Sequence, residues 1–261
     1  MVKTVAIIPA YNEEIALGSV IQKTLKYVDK VIVVDDGSSD KTKEIAKLAG
    51  AEVISHSKNL GKGRGLKSGF DFIKKINCDE KSEENYDIII TIDGDGQNNP
   101  DEIPRLIAPI ESGEADFVNG SRYIERSKDD DTPKYRRVGQ KVLDIATNIS
   151  TRLKISDSQS GFRGFSKKAI PYFKMKESGF AIESEMLFDA AENGLKVVEV
   201  PISVRYDVGE ATKNPISHGV KVLLKIIKEL LIRRPLFFFT LLGIIIMIII
   251  LIGITIQLLT I

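Results

Sequence analysis

Two aspartates stand two residues apart in Asp93-Gly-Asp-Gly-Gln97, directly after the apolar run at 88–92. Carboxylate and amide oxygens gathered at one strand end are hard ligands, suited to Mg2+ or Mn2+, ions that keep open positions for phosphate oxygens. Such an ion can hold a diphosphate and neutralise charge as it leaves. An EF-hand is excluded, because the twelfth position counted from Asp93 is Pro104 and not a glutamate. Two other apolar runs also end in acids: Pro9-Ala-Tyr-Asn-Glu13 follows the first, and Asp35-Asp-Gly-Ser-Ser-Asp40 follows the second.

These acids need a scaffold that brings three strand ends together. Short β-branched runs at 5–8, 31–34, 52–54 and 88–92 alternate with helical patterns at 14–27, 41–49, 64–76 and 102–111. Alternation of this kind predicts βαβ units and an α/β fold with a mostly parallel sheet and flanking helices. Ligands of such sheets gather beyond the carboxyl ends of the strands, where the acidic segments lie. Two polar insertions, 77–85 and 125–137, read as solvated loops. The first is a long connection. The second follows a strand end at Gly120-Ser-Arg122, closes on Arg136-Arg137, and has the character of a mobile lid.

The chain has 261 residues, 37 of them Lys or Arg and 36 Asp or Glu, so no overall field draws it to nucleic acid. A single cysteine, Cys78, allows no internal disulfide and fits a reducing compartment. The apolar start is too soon followed by Glu13 and Glu14 for a signal peptide and reads as a first strand.

Composition changes near the other end. No charged residue occurs over 236–261, which at about 1.5 Å per residue spans roughly 39 Å as a helix, against about 30 Å for a bilayer core. One transmembrane helix is expected there. Arg233 and Arg234 precede it, placing the large domain in the cytoplasm as a single-pass protein of the cell membrane. Just before, Lys221, Lys225 and Lys228 face away from Leu223, Ile226, Ile227 and Leu230, the pattern of a basic amphipathic helix in the headgroup layer. The expected organisation is a catalytic domain at 1–215, an interfacial helix at 216–235 and a membrane helix at 236–261.

The motifs Pro9-Ala-Tyr-Asn-Glu13, Val34-Asp-Asp-Gly-Ser-Ser-Asp40, Asn59-Leu-Gly-Lys-Gly63 and Asp93-Gly-Asp-Gly-Gln97, in this order, resemble the nucleotide-sugar domain of inverting family 2 glycosyltransferases, which is GT-A-like. Downstream, Gly120-Ser-Arg-Tyr123, Ser160-Gly-Phe-Arg-Gly-Phe165 and Val200-Pro-Ile-Ser-Val-Arg205 are similar to the polyprenyl-phosphate branch, that of the dolichyl-phosphate mannose synthases. The resemblance covers about residues 4–215 and is specific as a set. It implies transfer of a sugar from GDP-mannose or a UDP-hexose to a polyprenyl or dolichyl phosphate, with inversion.

The resemblance places Pro9, Tyr11, Glu13 and Asp36, with Asp35, around the nucleoside. It places Asp93, Asp95 and Gln97 on the metal, with Asp93, Gly94 and Asp95 also lining the donor. Arg205 and Lys213 fall beside the leaving diphosphate, where fixed positive charge stabilises the transition state. Asp93, Asp95 and Arg205 are thus the candidate catalytic residues. Arg122 and Arg136, with Arg137 as an alternative to Arg136, match positions for the acceptor phosphate, for which a guanidinium fork is well shaped. No general base stands out, His56 and His218 being the only histidines. A phosphate monoester needs none, since its second pKa is about 6. Glu183 and Glu185 are structural or sugar-contacting.

Other classes fit poorly. A dinucleotide-dependent dehydrogenase wants glycines where Pro9-Ala-Tyr-Asn-Glu13 stands, and no P-loop occurs. The segment Gly61-Lys-Gly-Arg-Gly65 instead shapes a loop beside the donor pocket. A processive polysaccharide synthase carries a tryptophan motif and several spans, and this chain has no tryptophan. A catalytically inactive scaffold on the same fold would have lost an Asp or Arg from the motifs. Relatives with two or more spans leave open a homo-oligomer or a membrane partner that supplies further helices.

Overall fold

The computed structural model describes residues 2–78, 84–124, 134–177 and 182–205, with isolated helical positions at Leu224, Lys228, Phe239, Thr240, Gly243 and Met247. Lys213, the amphipathic segment at 216–235 and the hydrophobic segment at 236–261 therefore lie outside the described residues, those six positions apart. So do residues 125–133 of the lid expected at 125–137. Among the described residues no helix is long and apolar enough to cross a membrane.

Seven strands form one sheet: β1 (Thr4–Ala10), β2 (Lys30–Asp35), β3 (Glu52–Ser55), β4 (Ile88–Thr91), β5 (Phe117–Ser121), β6 (Arg163–Ser166) and β7 (Val197–Pro201). Their spatial order is β3-β2-β1-β4-β6-β5-β7. Pairing is parallel except along β6, which runs antiparallel to both β4 and β5. The helices are α1 (Leu17–Thr24), α2 (Thr42–Leu48), α3 (Lys62–Cys78), α4 (Ile103–Glu111), α5 (Lys134–Thr151) and α6 (Ile182–Glu192).

The central strands are apolar at successive residues because both faces are covered. Val5 and Ile7 of β1 join a core with Leu66, Phe70 and Ile73 of α3 and Ile182, Met186 and Leu187 of α6. Ala6 and Ile8 join the opposite core with Leu17, Val20 and Ile21 of α1 and Ile103 and Leu106 of α4. Helix α5 lies outside these layers and packs on α6 through Leu143 and Phe188.

Two expectations change here. The glycine-rich segment at 61–65 is no free loop, since α3 begins at Lys62 and buries Gly63 and Gly65. Arg136 and Arg137 belong to the first turn of α5 and not to the loop before it.

Candidate active site

The loops after β1 and β2 are stitched together. Asn12 adopts a positive φ of 56°, its N–H donates to Ser38 Oγ (3.0 Å), and its Oδ1 accepts from Ser39 N–H (2.9 Å). Glu13 N–H donates to Thr42 Oγ1 (2.8 Å), and Lys41 N–H to a Glu14 carboxylate oxygen (2.9 Å). Tyr11 is left exposed at the rim, while Asp35 and Asp36 are buried.

Asp36 is engaged on every side. Its Oδ1 accepts from Leu60 N–H (2.9 Å) and lies 2.7 Å from His56 Nδ1, and its Oδ2 accepts from Gly61 N–H (2.7 Å). Asp35 Oδ1 accepts from Ser38 N–H (3.1 Å). Gly37 has φ +74°, and a Cβ there would come within 2.5 Å of the Lys58 backbone, so only glycine lets the two loops close on each other. These aspartates thus tie together the loops that the resemblance places around the nucleoside.

Beyond β4, Asp95 Oδ1 accepts from Gln97 N–H (3.0 Å), closing the turn. Burial, followed by the nearby Asp93 carboxylate, pushes Asp95 up to about 6. Burial, then Asp95, Asp93 and Asp40, pushes Glu13 up to about 7. Three carboxylates from two strand ends are therefore near enough to repel. The segment carrying Arg205 pairs with this loop through its backbone: the Arg205 N–H donates to Gln97 O (2.9 Å), and Val204 bridges Asn98.

A cation missed by sequence reading sits beside this cluster. Lys62 Nζ lies 2.6 Å from Asp93 Oδ1 and 2.9 Å from Glu183 Oε1. Burial opposes its charge, but Asp93 and Glu183 outweigh that and hold the ammonium above its ordinary range. Glu183 is 2 % exposed, and burial raises its pKa despite Lys62 and Arg163. Neither of its oxygens receives an aligned hydrogen bond among the described residues. Glu185 instead accepts from Lys176 and Glu177 N–H (2.9 and 2.8 Å), a structural use. Gly161 makes room for the lysine: a Cβ there would stand 2.6 Å from Asp93 Oδ2 and 2.7 Å from Lys62 Nζ.

Arg163 is buried, donating to Asn119 Oδ1 (3.0 Å), Glu183 O (2.9 Å) and Ser158 O (3.1 Å) over the ring of Phe117. Burial lowers its pKa to about 10 against the pull of Glu183, Asp157, Asp93 and Glu199. Asp157 in turn holds Arg122 in a two-pronged pair, Nε to Oδ2 at 2.6 Å and Nη2 to Oδ1 at 2.7 Å. Arg122 and Arg137 both lie over the Tyr123 ring, at 5.4 and 5.8 Å. Arg136 lies in α5 beside them in sequence.

The donor set fits a divalent cation. Repulsion among Glu13, Asp93 and Asp95 is what a positive ion relieves. Among the described residues no three His, Cys, Asp or Glu side chains make a metal cage by themselves. Asp93 and Asp95 are two such ligands, so Gln97 and substrate oxygens would have to complete the set.

A mostly parallel sheet with paired carboxylates on the loop after its central strand is the GT-A-like architecture expected from the sequence. The chain belongs to glycosyl transferase family 2, which it matches over residues 5–173. It is 32 % identical over 250 residues to the UDP-N-acetylglucosamine–dolichyl-phosphate N-acetylglucosaminyltransferase of Methanococcus voltae, covering 87 % of this chain and 94 % of the relative. It is 29 % identical over 220 residues to the undecaprenyl-phosphate mannosyltransferase of Micrococcus luteus, covering 80 % and 86 %. The fold is shared with glucosyl-3-phosphoglycerate synthase from Mycobacterium tuberculosis, in a crystal structure with Mn2+, UDP and glucosyl-3-phosphoglycerate. There the TM-score is 0.63 at 21 % identity, over 88 % of this chain and 79 % of that one.

Proposed function

We propose that this glycosyltransferase moves a hexose from a nucleotide sugar, GDP-mannose or a UDP-hexose, to a polyprenyl or dolichyl phosphate. The observation that supports the reading is the meeting, beyond the sheet, of the Asp93–Gln97 loop with the Arg205 backbone and with Lys62, while buried Arg163 bonds Ser158 O beside the two-pronged Asp157–Arg122 pair. The two relatives named above, whose names specify polyprenyl-type phosphates as acceptors, support the same acceptor class.

In this mechanism Tyr11, Asp35, Asp36 and Pro9 frame the nucleoside, and Arg205, with Lys213, stabilises the departing diphosphate. Asp93, Asp95 and Gln97 would hold Mg2+ or Mn2+, which supplies charge neutralisation on the diphosphate. Lys62, held from behind by buried Glu183, keeps Asp93 oriented. Arg122, with Arg136 or Arg137, orients the acceptor phosphate, whose ionised oxygen attacks the anomeric carbon in line without a protein base. The stereochemical outcome is inversion.

The segment at 236–261 anchors the enzyme in the cell membrane with its catalytic domain in the cytoplasm, where the acceptor headgroup lies. Protease accessibility in sealed, oriented vesicles checks this orientation, and protection of the catalytic domain inside everted vesicles would contradict it.

Arg122 provides the test of the acceptor site. Replacement by alanine would strip buried Asp157 of its counter-charge and unsettle the fold, so Arg122→Lys is the informative variant. It keeps the charge but loses the fork, and is expected to raise KM for polyprenyl phosphate about tenfold with donor KM unchanged. An equal change in both constants would remove Arg122 from the acceptor site.

A further inference from the structure

Strand β7 reads Val197-Val-Glu-Val-Pro201, and an acid among β-branched residues is out of keeping with a strand unless its charge has a use. Glu199 lies opposite Asn119 in the parallel pairing of β5 with β7. Both of its carboxylate oxygens are engaged. Oε2 accepts from the Ser156 N–H (2.7 Å) and from Ser156 Oγ (2.8 Å). Oε1 accepts from Asn119 Nδ2 (3.0 Å) and from the Asp157 N–H (3.3 Å). Arg163 Nε donates to Asn119 Oδ1 (3.0 Å), which fixes that amide with its NH2 toward Glu199.

Two arms run from this carboxylate to the segment after β5. The first passes through Asp157, which is fully buried and accepts from Arg122 Nε (2.6 Å), Arg122 Nη2 (2.7 Å) and the Arg122 N–H (3.2 Å). Asn119 braces this arm, since its Nδ2 also donates to Asp157 O (2.8 Å). The second passes through Ser156, whose Oγ lies 2.6 Å from Ser121 Oγ. Ser121 Oγ in turn accepts from the Tyr123 N–H (3.2 Å). A hydroxyl has one proton to give, so with Ser156 donating to Glu199, Ser121 must donate to Ser156. Every bond of the second arm therefore points toward the carboxylate, and bonds aligned in this way polarise and strengthen one another.

The arms end on neighbouring residues, Arg122 and Tyr123, and the Tyr123 ring is the one that Arg122 and Arg137 share. The charge of Glu199 matters to both. An ionised carboxylate accepts on each oxygen, whereas a glutamine of the same size would turn an NH2 against donors on one side and break an arm.

We propose that Glu199 is a positioning residue for the acceptor phosphate: through Asp157 it sets the Arg122 guanidinium, and through Ser156 and Ser121 it sets Tyr123, on whose ring Arg137 lies. The proposal rests on the polyprenyl-phosphate acceptor and adds what holds the cations that meet it.

Glu199→Gln in the full-length enzyme is the test, with a readout of Arg122 that does not depend on turnover. Modification of arginines by phenylglyoxal is followed by peptide mass mapping, with exposed Arg64 of α3 as the reference. Arg122 is expected to react several-fold faster in the variant and Arg64 at an unchanged rate. In steady-state kinetics the KM for polyprenyl phosphate is expected to rise about tenfold, the effect of one lost bond to a charged group, with the donor KM unchanged. In an Arg122→Lys background the same substitution should add no more than about twofold, because the fork that it positions is already gone. Unchanged reactivity of Arg122, an equal gain at Arg64, a donor KM that rises with the acceptor KM, or full additivity with Arg122→Lys would each overturn the positioning and leave the function standing. Faster modification of Arg122 in an enzyme that does not use polyprenyl phosphate would overturn the acceptor reading and leave the hold on Arg122 standing. Should Glu199→Gln fail to fold, Ser156→Ala removes the serine arm alone. A rise in acceptor KM at constant donor KM is then expected, and no rise overturns the proposal.

Discussion

At the residue scale, the site is a balance of buried charges held at short range. Asp93, Asp95 and Glu13 are legible in the sequence because each follows an apolar run that must be a strand, and strand ends of parallel sheets meet at one edge. Lys62 is not legible, because its partner Glu183 is distant in sequence and only the folded chain brings the two within 2.9 Å. Arg163 is legible as part of a motif but not as a buried cation, since arginine is rarely inside unless fully paired. The tightest contact in the group falls at Gly161, where any Cβ must displace Asp93 or Lys62. Gly161→Ala is expected to lower kcat by about 100-fold, the effect of a displacement of roughly 1 Å at a reacting centre. Its cost to stability should stay within about 1–3 kcal/mol, as for other overpacked sites. Steady-state kinetics beside chemical denaturation separates the two, and unchanged kcat would mean that the Lys62–Asp93 contact has no catalytic consequence.

At the scale of elements, the first half of the fold follows from alternation, because doubly covered strands must be apolar throughout and their helices amphipathic. The second half is harder to read. β6 is only four residues long and antiparallel, so no βαβ rhythm announces it. The start of α5 is masked by a polar run that continues into its first turn, which is why Arg136 and Arg137 read as loop. α5 is tied to the segment before β6 by Asp144, whose Oδ1 accepts from Ser158 N–H (2.8 Å). Burial, with the neighbouring Asp157 charge adding to it, pushes Asp144 up to about 6 from an ordinary 3.8. The folded chain therefore holds that proton more tightly than the unfolded chain does. Stability from this group is present below about pH 4 and is lost as pH rises through about 6, on the order of 2–3 kcal/mol. Asp144→Asn should flatten that fall, seen as a smaller decrease in denaturation free energy between pH 4 and pH 6.5. An unchanged slope would show that Asp144 titrates normally.

At the scale of the whole molecule, the sheet order places β1 and β4 side by side, so Glu13 and the Asp93–Gln97 loop become neighbours, while the return after β7 carries Arg205 back to Gln97. One architecture thus brings acids from two early strand ends beside the late segment that carries Arg205. In the proposed function the Arg122–Tyr123–Arg137 group, at the end of β5 and the start of α5, is the acceptor's electrostatic address, apart from the donor. The account stands or falls on the acceptor being a phosphate on a polyprenol. The direct measurement incubates the full-length enzyme and a divalent ion with radiolabelled GDP-mannose or UDP-hexoses, offering polyprenyl phosphate, the unphosphorylated polyprenol, or a soluble sugar. The predicted result is an organic-extractable, acid-labile labelled lipid from one donor, formed only with polyprenyl phosphate and abolished by Asp95→Ala. Equal or better transfer to the free polyprenol or to the soluble sugar would contradict the assignment of Arg122 and its neighbours and require a protein base for attack.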